Sequence, residues 1–368
     1  MSYDSNNVIS LISICIQADV PSMLIGDPGE GKTAVFSSVA DNLGLNFESI
    51  TAALFGPEDA GIPIPGEGNK CRRLFDEHFI NAAEKPTLFL IDELTRANSR
   101  AGFNSLLRIL QEKRIAGLTF NPGTRFIATA NPDTTDSGCM PIPSALSNRI
   151  AWFQGEIERE DWIKWMLTGV GGESKVIRLP ANWADYIPDA RGKVLAFTQA
   201  MPQLLKDIPK NSDTPGAYPT RRSWTNAATL YGAAIALKDK TIGYNLVRAT
   251  VGAGPAQAFH EWINKADLPD PSDVLDNIGT YTFPNRYDLK WAISTACASE
   301  ALRRNTTDGW NKLEKMILKL AAMQSKDIGA YAVSIMFANR EKWTKVYTPS
   351  RELASTYVDI VMASDLLK

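Results

Sequence analysis

The chain has 368 residues, of which 44% are hydrophobic and 22% charged, as expected for a globular protein of two or three domains. Its formal net charge is -2, so the composition lacks the basic excess that is typical of nucleic-acid-binding proteins. No apolar run approaches the roughly 18 residues that a membrane-spanning helix requires, and we expect no membrane span.

The N-terminus and the cysteines indicate a reducing compartment. Residues 1–7 lack the basic start and the small-residue cleavage site of a signal peptide. The cysteines are scattered and include no C-x-x-C pair; they are Cys15, Cys71, Cys139 and Cys297. We therefore expect a cytoplasmic protein with neither a disulfide framework nor a cysteine metal site.

The strongest motif lies between a predicted strand, residues 20–25, and a predicted helix, residues 33–40. It fits the phosphate-binding pattern G-x-x-x-x-G-K-[ST] with Gly26, Asp27, Pro28, Gly29, Glu30, Gly31, Lys32 and Thr33. Such glycines let backbone N–H groups point at phosphate oxygens, and the helix N-terminus adds a partial positive charge. We predict that Lys32 contacts the β- and γ-phosphates of a nucleotide and that the Thr33 hydroxyl is a ligand of Mg²⁺.

Further predicted elements surround this motif. The spacing of apolar residues predicts a helix over 7–19, and a short strand follows the phosphate loop at 47–50. The stretch from Leu54 to Gly66 is too rich in proline and glycine for a core element. We predict that it forms an insert that projects from the domain.

A pair of carboxylates follows the next predicted strand. Residues 87–91 include the apolar run typical of a strand buried on both faces of a parallel sheet, and Asp92 and Glu93 come directly after it. Parallel sheets bind ligands at this end of their strands. We predict that Asp92 holds Mg²⁺ through water and that Glu93 orients and polarises an attacking water. The alternative is that either carboxylate simply caps the next helix; the phosphate loop favours the first interpretation.

Two more polar residues follow along the chain. A helix over 100–112 and a hairpin over 114–123 precede a buried strand at 125–130, which ends at Asn131. That position suits contact with the γ-phosphate or the attacking water, although an asparagine before a proline is also a common turn residue. Arg149 precedes the last predicted strand and, taken alone, is more typical of a surface arginine.

The order of these motifs resembles the AAA+ ATPases and, within them, the MoxR family. That family has a phosphate loop, an insert after the second strand, an acidic pair, a hairpin before an asparagine-ended strand, and an arginine before the last strand. The corresponding segments here look like Gly26 to Thr33, Leu54 to Gly66, Asp92-Glu93, Arg114 to Phe120 with Asn131, and Arg149. The resemblance covers roughly residues 8–155.

The resemblance implies an α/β AAA+ core with a parallel five-stranded sheet between helices, followed by an all-helical lid and a helical C-terminal extension. It implies ATP and Mg²⁺ as ligands and assembly into a ring, usually hexameric. It makes Asn131 the sensor residue. It makes Arg149 an arginine finger, which reaches the ATP of a neighbouring subunit.

The rest of the chain is predicted to be helical. We predict a core at 1–155, a lid at 156–267 and an extension at 268–368, with a boundary at the proline- and aspartate-rich residues 268–273. Helices are predicted at 158–167, 194–205, 288–302, 307–323, 328–337 and 350–367, and a turn cluster at 210–216.

One lid helix begins at two arginines. The resemblance implies a second sensing arginine at the start of such a helix; Arg222 occupies that position, and Arg221, which replaces a proline of the family pattern, is the alternative. Cations are unfavourable at a helix N-terminus, and a nearby phosphate would remove that penalty.

The function implied by the resemblance is ATP hydrolysis coupled to remodelling or activation of a protein partner. Such a partner, for example a von Willebrand factor A protein, would be a separate polypeptide because this chain lacks the D-x-S-x-S metal motif. One alternative is a motor that acts on nucleic acid, which the net charge disfavours. Another is a nucleotide-dependent scaffold with little turnover, which Glu93 disfavours.

Overall fold

The computed structural model describes residues 5–66, 70–132, 142, 147–155, 162–163, 166–167, 176–209, 216–360 and 362. Most of the helix predicted at 158–167, nearly all of the turn cluster predicted at 210–216 and the end of the helix predicted at 350–367 lie outside these residues, as does Cys139.

A parallel five-stranded sheet forms the centre of the N-terminal part. The strands in chain order are β1 (Ser22–Ile25), β2 (Asn46–Thr51), β3 (Ile62–Pro65), β4 (Cys71–Leu74), β5 (Thr87–Asp92), β6 (Arg114–Ile115), β7 (Leu118–Thr119), β8 (Arg125–Ala130) and β9 (Ala151–Gln154). The five-stranded sheet has the order β2-β5-β8-β1-β9, and all of its pairs are parallel. The predicted α/β core with a five-stranded parallel sheet is confirmed.

Helices flank this sheet, and aromatic side chains fill much of its core. The helices here are α1 (Ser5–Gln17), α2 (Lys32–Leu43), α3 (Glu77–Glu84) and α4 (Arg100–Glu112). Phe79 of α3 stacks on Phe89 of β5 with the ring centroids 5.6 Å apart, and Phe89 lies 5.8 Å from Phe126 of β8. All three side chains are buried, so they remove large apolar areas from water.

Two antiparallel hairpins adjoin the core. The predicted insert includes β3, which pairs with β4 so that Ile62 lies opposite Leu74. All four residues of β4 are exposed, as expected for a hairpin without a core of its own. The hairpin predicted at 114–123 is confirmed by the pairing of β6 with β7.

The C-terminal part is helical. Its helices are α5 (Ile187–Ala200), α6 (Arg221–Leu237), α7 (Lys240–Val251), α8 (Ala253–Lys265), α9 (Pro271–Asp276), α10 (Tyr287–Arg304), α11 (Thr307–Ala322), α12 (Lys326–Ala338), α13 (Arg340–Trp343) and α14 (Arg351–Thr356). Within the described residues, no helix is both long and apolar enough to cross a bilayer.

The chain divides into two compact units. The first contains Met1–Leu179, Ile208–Asn226 and Ala249–Gly252; the second contains Pro180–Asp207, Ala227–Arg248 and Ala253–Lys368. The second unit therefore combines segments of the predicted lid and of the predicted extension. The predicted boundaries after residues 155 and 267 stay a prediction.

Close packing of α5 on α10 is central to the second unit. A Cβ on Gly192 would lie 1.7 Å from the Thr295 hydroxyl oxygen, so only glycine permits this approach of the two helices. The Ser299 hydroxyl accepts a hydrogen bond of 2.8 Å from the Asp189 N–H at the start of α5. This bond satisfies one of the N–H groups that a helix leaves unpaired in its first turn.

The segment predicted as a boundary, residues 268–273, contains the start of a helix. Asp270 is the N-cap of α9, with its carboxylate accepting from the Ser272 N–H at 2.8 Å, and Pro271 is the first helical residue. Proline is well suited to that first position because its missing N–H has no intrahelical partner there. The proline- and aspartate-rich residues that predicted a boundary therefore also contain the start of a helix.

The turn between β6 and β7 gives a stability prediction. Its two central residues, Ala116 and Gly117, have φ of 44° and 101°, and an alanine in this left-handed region is strained. Ala116→Asn should raise the free energy of unfolding by roughly 0.5–1 kcal/mol in urea denaturation, because Asn-Gly is the preferred pair in such a turn. Ala116→Val should lower it, and equal stability of the two variants would contradict the assignment of strain.

Candidate nucleotide-binding site

Three adjacent strands bring the predicted polar residues to one edge of the sheet. β8 lies between β5 and β1, and Ile25 at the end of β1 is opposite Ala130 at the end of β8. Because the strands are parallel, their carboxyl ends meet at the same edge. Gly26, Asp92 and Asn131 all lie at this edge.

The phosphate loop has the backbone conformation that an anion site needs. Gly29 and Gly31 have φ of 84° and 75°, in the left-handed region that favours glycine, and a Cβ on either would meet nothing within 4 Å. Gly31 is the N-cap of α2 without a side-chain cap, so the first N–H groups of this helix are available to an anion. A Cβ on Gly26 would lie 2.6 Å from the Gly155 carbonyl oxygen, which requires glycine there.

Lys32 is a buried cation directly beside this loop. Its side chain is only 8% exposed, and its Nζ donates to the carbonyl oxygens of Gly26 at 2.7 Å and Asp27 at 2.8 Å. Burial lowers the pKa of Lys32, whereas nearby carboxylates, Asp92 foremost, oppose that shift. A phosphate placed against the ammonium group would stabilise its charged form further.

Thr33 and Asp92 form the predicted metal-ligand pair. The Thr33 hydroxyl donates to Asp92 Oδ2 at 2.8 Å. The other carboxylate oxygen accepts from the hydroxyl of Thr129 and, at 3.1 Å, from the Glu93 N–H. A hydroxyl and a carboxylate in contact are oxygen donors of the kind that Mg²⁺ prefers, and Mg²⁺ usually keeps several waters besides such protein ligands.

Thr129 is a site residue that the sequence analysis missed. It is fully buried in β8, and besides contacting Asp92 its hydroxyl oxygen accepts from the Glu93 N–H at 3.2 Å. Thr129 thereby positions the carboxylate of Asp92 and the backbone of Glu93. The available signal was a lone hydroxyl in an otherwise apolar run, which becomes meaningful only once β8 is known to neighbour β5.

Glu93 adopts a strained backbone conformation. Its φ is 53°, and it precedes a short 3₁₀ helix at Leu94–Arg96 without capping it through its side chain. The next α-helix, α4, is capped instead by Ser99, whose hydroxyl accepts from the Gly102 N–H at 3.0 Å. The interpretation of Glu93 as a simple helix cap therefore has no support in its side-chain contacts, whereas a strained carboxylate is typical of a functional site.

Asn131 has an unsatisfied donor. The residue is 4% exposed, and its Oδ1 is 3.4 Å from Lys32 Nζ, but its buried Nδ2 has no hydrogen-bond partner in the described part of the chain. A buried amide N–H without an acceptor costs roughly 1–3 kcal/mol. An acceptor such as a phosphate oxygen or a bound water would remove that cost, so this side chain fits a nucleotide.

Arg149 and Arg222 belong to a second cluster. Burial and the neighbouring positive charge of Arg222 lower the pKa of Arg149, and Glu112 opposes this shift. Asn226 of α6 donates from Nδ2 to the Arg149 carbonyl oxygen at 3.2 Å, which ties the turn that carries Arg149 to α6. Arg221 and Arg222 are exposed in the first turn of α6, and it is Arg222 whose charge acts on Arg149.

Comparison with known proteins agrees with this geometry. Residues 22–151 match the family described as the ATPase family associated with various cellular activities (AAA). This range begins at β1 and includes every site residue above except Arg221, Arg222 and Asn226, which lie in α6, and Gly155. That part of the chain is an AAA ATPase-family domain, which implies nucleotide binding and, in general, ATP hydrolysis.

More specific likenesses are weaker. The chain is 29% identical over 177 residues to midasin of Giardia intestinalis, an alignment that covers 45% of this chain and only 4% of that protein. The chain therefore spans a small fraction of this relative.

Solved structures with a similar backbone include a candidate ATPase from Cytophaga hutchinsonii, with 15% identity, a TM-score of 0.44, and coverage of 77% of this chain and 92% of the other. An MCM homolog from Methanopyrus kandleri has 10% identity and a TM-score of 0.36, with coverage of 71% and 57%. TM-scores this low assign no function.

The contacts of Thr129 generate a prediction. Thr129→Val removes the hydroxyl but keeps the shape, so ATP turnover at saturating ATP should fall about tenfold, the usual scale for a residue that orients a metal-binding carboxylate. Thr129→Ser should retain most of the turnover because it keeps the hydroxyl.

Thr124→Val is the matched control, because Thr124 is equally buried and its hydroxyl donates to the Ala82 carbonyl oxygen at 2.8 Å, away from the carboxylates. It should cost stability without lowering turnover. Normal turnover by the folded Thr129→Val variant would show that the hydroxyl does not position Asp92 and Glu93.

Proposed function

We propose that this protein is a MoxR-like AAA+ ATPase, which couples ATP hydrolysis in an oligomeric ring to remodelling or activation of a protein partner. The proposal rests on one observation: a buried ammonium group, a buried amide donor without an acceptor, and a hydroxyl–carboxylate pair lie together at one edge of the sheet. These are the groups of Lys32, Asn131, Thr33 and Asp92. Each suits a different part of a magnesium nucleotide.

The proposed reaction is in-line attack of water on the γ-phosphate of ATP. Lys32 and the N–H groups of the phosphate loop neutralise and position the phosphates, while Thr33 and Asp92 hold Mg²⁺, which supplies charge stabilisation when bound. Glu93 and Asn131 place and polarise the water. Catalysis then comes from positioning and charge stabilisation more than from covalent chemistry.

The arginine cluster supports a site shared between subunits. Two guanidinium groups, of Arg149 and Arg222, lie close enough that one lowers the pKa of the other. An anion in their vicinity would relieve this repulsion. We propose that the anion is the phosphate group of ATP, reached by Arg149 in a neighbouring subunit, and that Arg222 rather than Arg221 is the second sensing arginine.

The division into core, lid and C-terminal extension belongs to the same proposal. In it, ATP contacts residues of the core and of the lid helix, so that binding and hydrolysis change the angle between them. That motion would act on a partner carried by a separate polypeptide, such as a von Willebrand factor A protein.

The role of Glu93 can be tested by a matched pair of variants. Glu93→Gln should bind ATP with an affinity close to that of the unchanged protein but lose turnover by roughly 10²-fold or more, because the amide cannot act as a base toward water. Lys32→Ala should instead lose ATP binding itself. Fluorescent-nucleotide titration and phosphate release measure the two properties separately.

Glu84→Gln is the control, since it makes the same change at an exposed residue of α3. Normal turnover by Glu93→Gln would remove Glu93 from its role, and unchanged ATP affinity of Lys32→Ala would refute the phosphate-loop assignment. Stimulation of the unchanged protein by single- or double-stranded DNA, but by no protein, would favour a nucleic-acid motor.

Mixing variants tests whether Arg149 acts on a neighbour. Arg149→Ala and Lys32→Ala should each be inactive alone, yet mixed assemblies should regain part of the turnover because some interfaces contain one intact Lys32 and one intact Arg149 from different subunits. Size-exclusion chromatography with light scattering must show that the variants assemble equally. Absence of rescue in properly mixed assemblies would place Arg149 in its own subunit's site or in a structural role.

A further inference from the structure

A basic cleft lies between the two hairpins, and neither Lys32 nor Asp92 nor Asn131 lines it. It has a volume of about 520 Å³ and is lined by the base of the β3–β4 hairpin, one face of α4 and the β6–β7 hairpin. Arg73, Arg108 and Arg114 come from these three elements, one from each. The cleft thus brings Arg73 of the β3–β4 hairpin next to two arginines of consecutive later elements, Arg108 and Arg114.

The positive charge of the cleft is only partly compensated. Arg73 Nη1 donates to the Gly61 carbonyl oxygen at 2.8 Å and Arg114 Nε to the Thr119 hydroxyl at 3.0 Å, both neutral acceptors. Among the lining residues that the structure describes, Glu112 supplies the single carboxylate, which faces Arg108 Nε at 3.5 Å. In the described lining, three guanidinium groups and one carboxylate give the cleft a net positive charge. The neutral acceptors hold the side chains of Arg73 and Arg114 in place.

The rest of the lining favours a protein ligand over a nucleic acid. Ala60 and Ala116 add apolar surface to the arginines, and the described lining residues include no aromatic ring on which a base could stack.

We propose that this cleft binds an extended acidic segment of a protein partner, with its carboxylates on the arginines and its apolar side chains on the cleft floor. Arginine is suited to this role because its planar fork can engage a carboxylate through two parallel hydrogen bonds. An acidic segment would then be the part of the partner that this protein recognises. Binding itself does not depend on the proposed remodelling function, and only the effect of binding on the partner rests on it.

The test uses a fluorescein-labelled twelve-residue peptide that alternates glutamate with leucine or alanine, and measures fluorescence anisotropy with the full chain and no nucleotide. Arg73→Ala and Arg114→Ala should each weaken binding about threefold, as expected for partly exposed ion pairs. Arg73→Glu should weaken it about tenfold because it adds repulsion. Raising the salt from 50 to 500 mM should weaken binding by the unchanged protein.

Arg72→Ala is the matched control. Arg72 lies opposite Ile64 in the hairpin, whereas Arg73 lies opposite Pro63, so the two side chains point to opposite faces. Arg72→Ala should leave peptide affinity unchanged, and melting temperatures check that every variant is folded. A lysine-for-glutamate version of the peptide should not bind.

Three outcomes would overturn the inference: no binding of the acidic peptide, equal weakening by Arg72→Ala and Arg73→Ala, or binding of a single-stranded oligonucleotide, but not the peptide, through Arg73 and Arg114. Because binding is measured without turnover, these outcomes leave the proposed ATPase untouched. Conversely, peptide binding by a protein that hydrolyses no ATP would contradict the proposed function and not this inference.

Discussion

The burial of one positive charge at the edge of the sheet is the constraint on which the site depends. Removing an ammonium group from water is costly unless oxygen atoms replace the water. Here the carbonyl oxygens of Gly26 and Asp27 do so at 2.7 and 2.8 Å. After these carbonyls the loop turns through left-handed residues at Gly29 and Gly31, a conformation that favours glycine. The same turn frees the N-terminus of α2 for an anion, so cation burial and anion binding share one backbone conformation.

Charge is distributed unevenly between the two clusters. The sheet edge surrounds Lys32 with several carboxylates, Asp92 and Glu93 among them, while in the described part of the chain Arg149 and Arg222 lie together near the carboxylate of Glu112. An excess of carboxylate suits Mg²⁺, and an excess of guanidinium suits phosphate. A magnesium nucleotide carries both complementary charges. Because of this asymmetry, we expect both clusters to contribute to one nucleotide-binding site, whether they come from one subunit or from two.

Local patterns predicted much of the fold but not its long-range contacts. The apolar run that ends at Asp92 predicted a buried strand, and helix and strand bounds at α4 and β8 agree with those predicted from spacing. Thr129 escaped notice because its role depends on β8 pairing with β5, a register that no single segment encodes. Residues 268–273 were predicted only as a boundary, and the helix that begins at Pro271 was not predicted, because proline and aspartate are common both in loops and at helix starts. The basic cleft could not be predicted for the same reason as Thr129, because Arg73 meets Arg108 and Arg114 only in the folded chain.

The path of the chain connects the basic cleft to the nucleotide site. Glu93 and Asn131 are the two ends of one segment, and that segment contains α4 and the β6–β7 hairpin, which together supply most of the cleft. The first turn of α4 also packs closely on the insert, because a Cβ on Gly102 would lie only 2.7 Å from the Phe55 carbonyl oxygen. Coupling between two sites requires an element whose position both sites influence. The helix α4 begins shortly after Glu93, the proposed water-orienting carboxylate, and ends at the arginine-lined cleft. If both proposals hold, a change at the γ-phosphate would have a direct mechanical route through this helix to a bound partner.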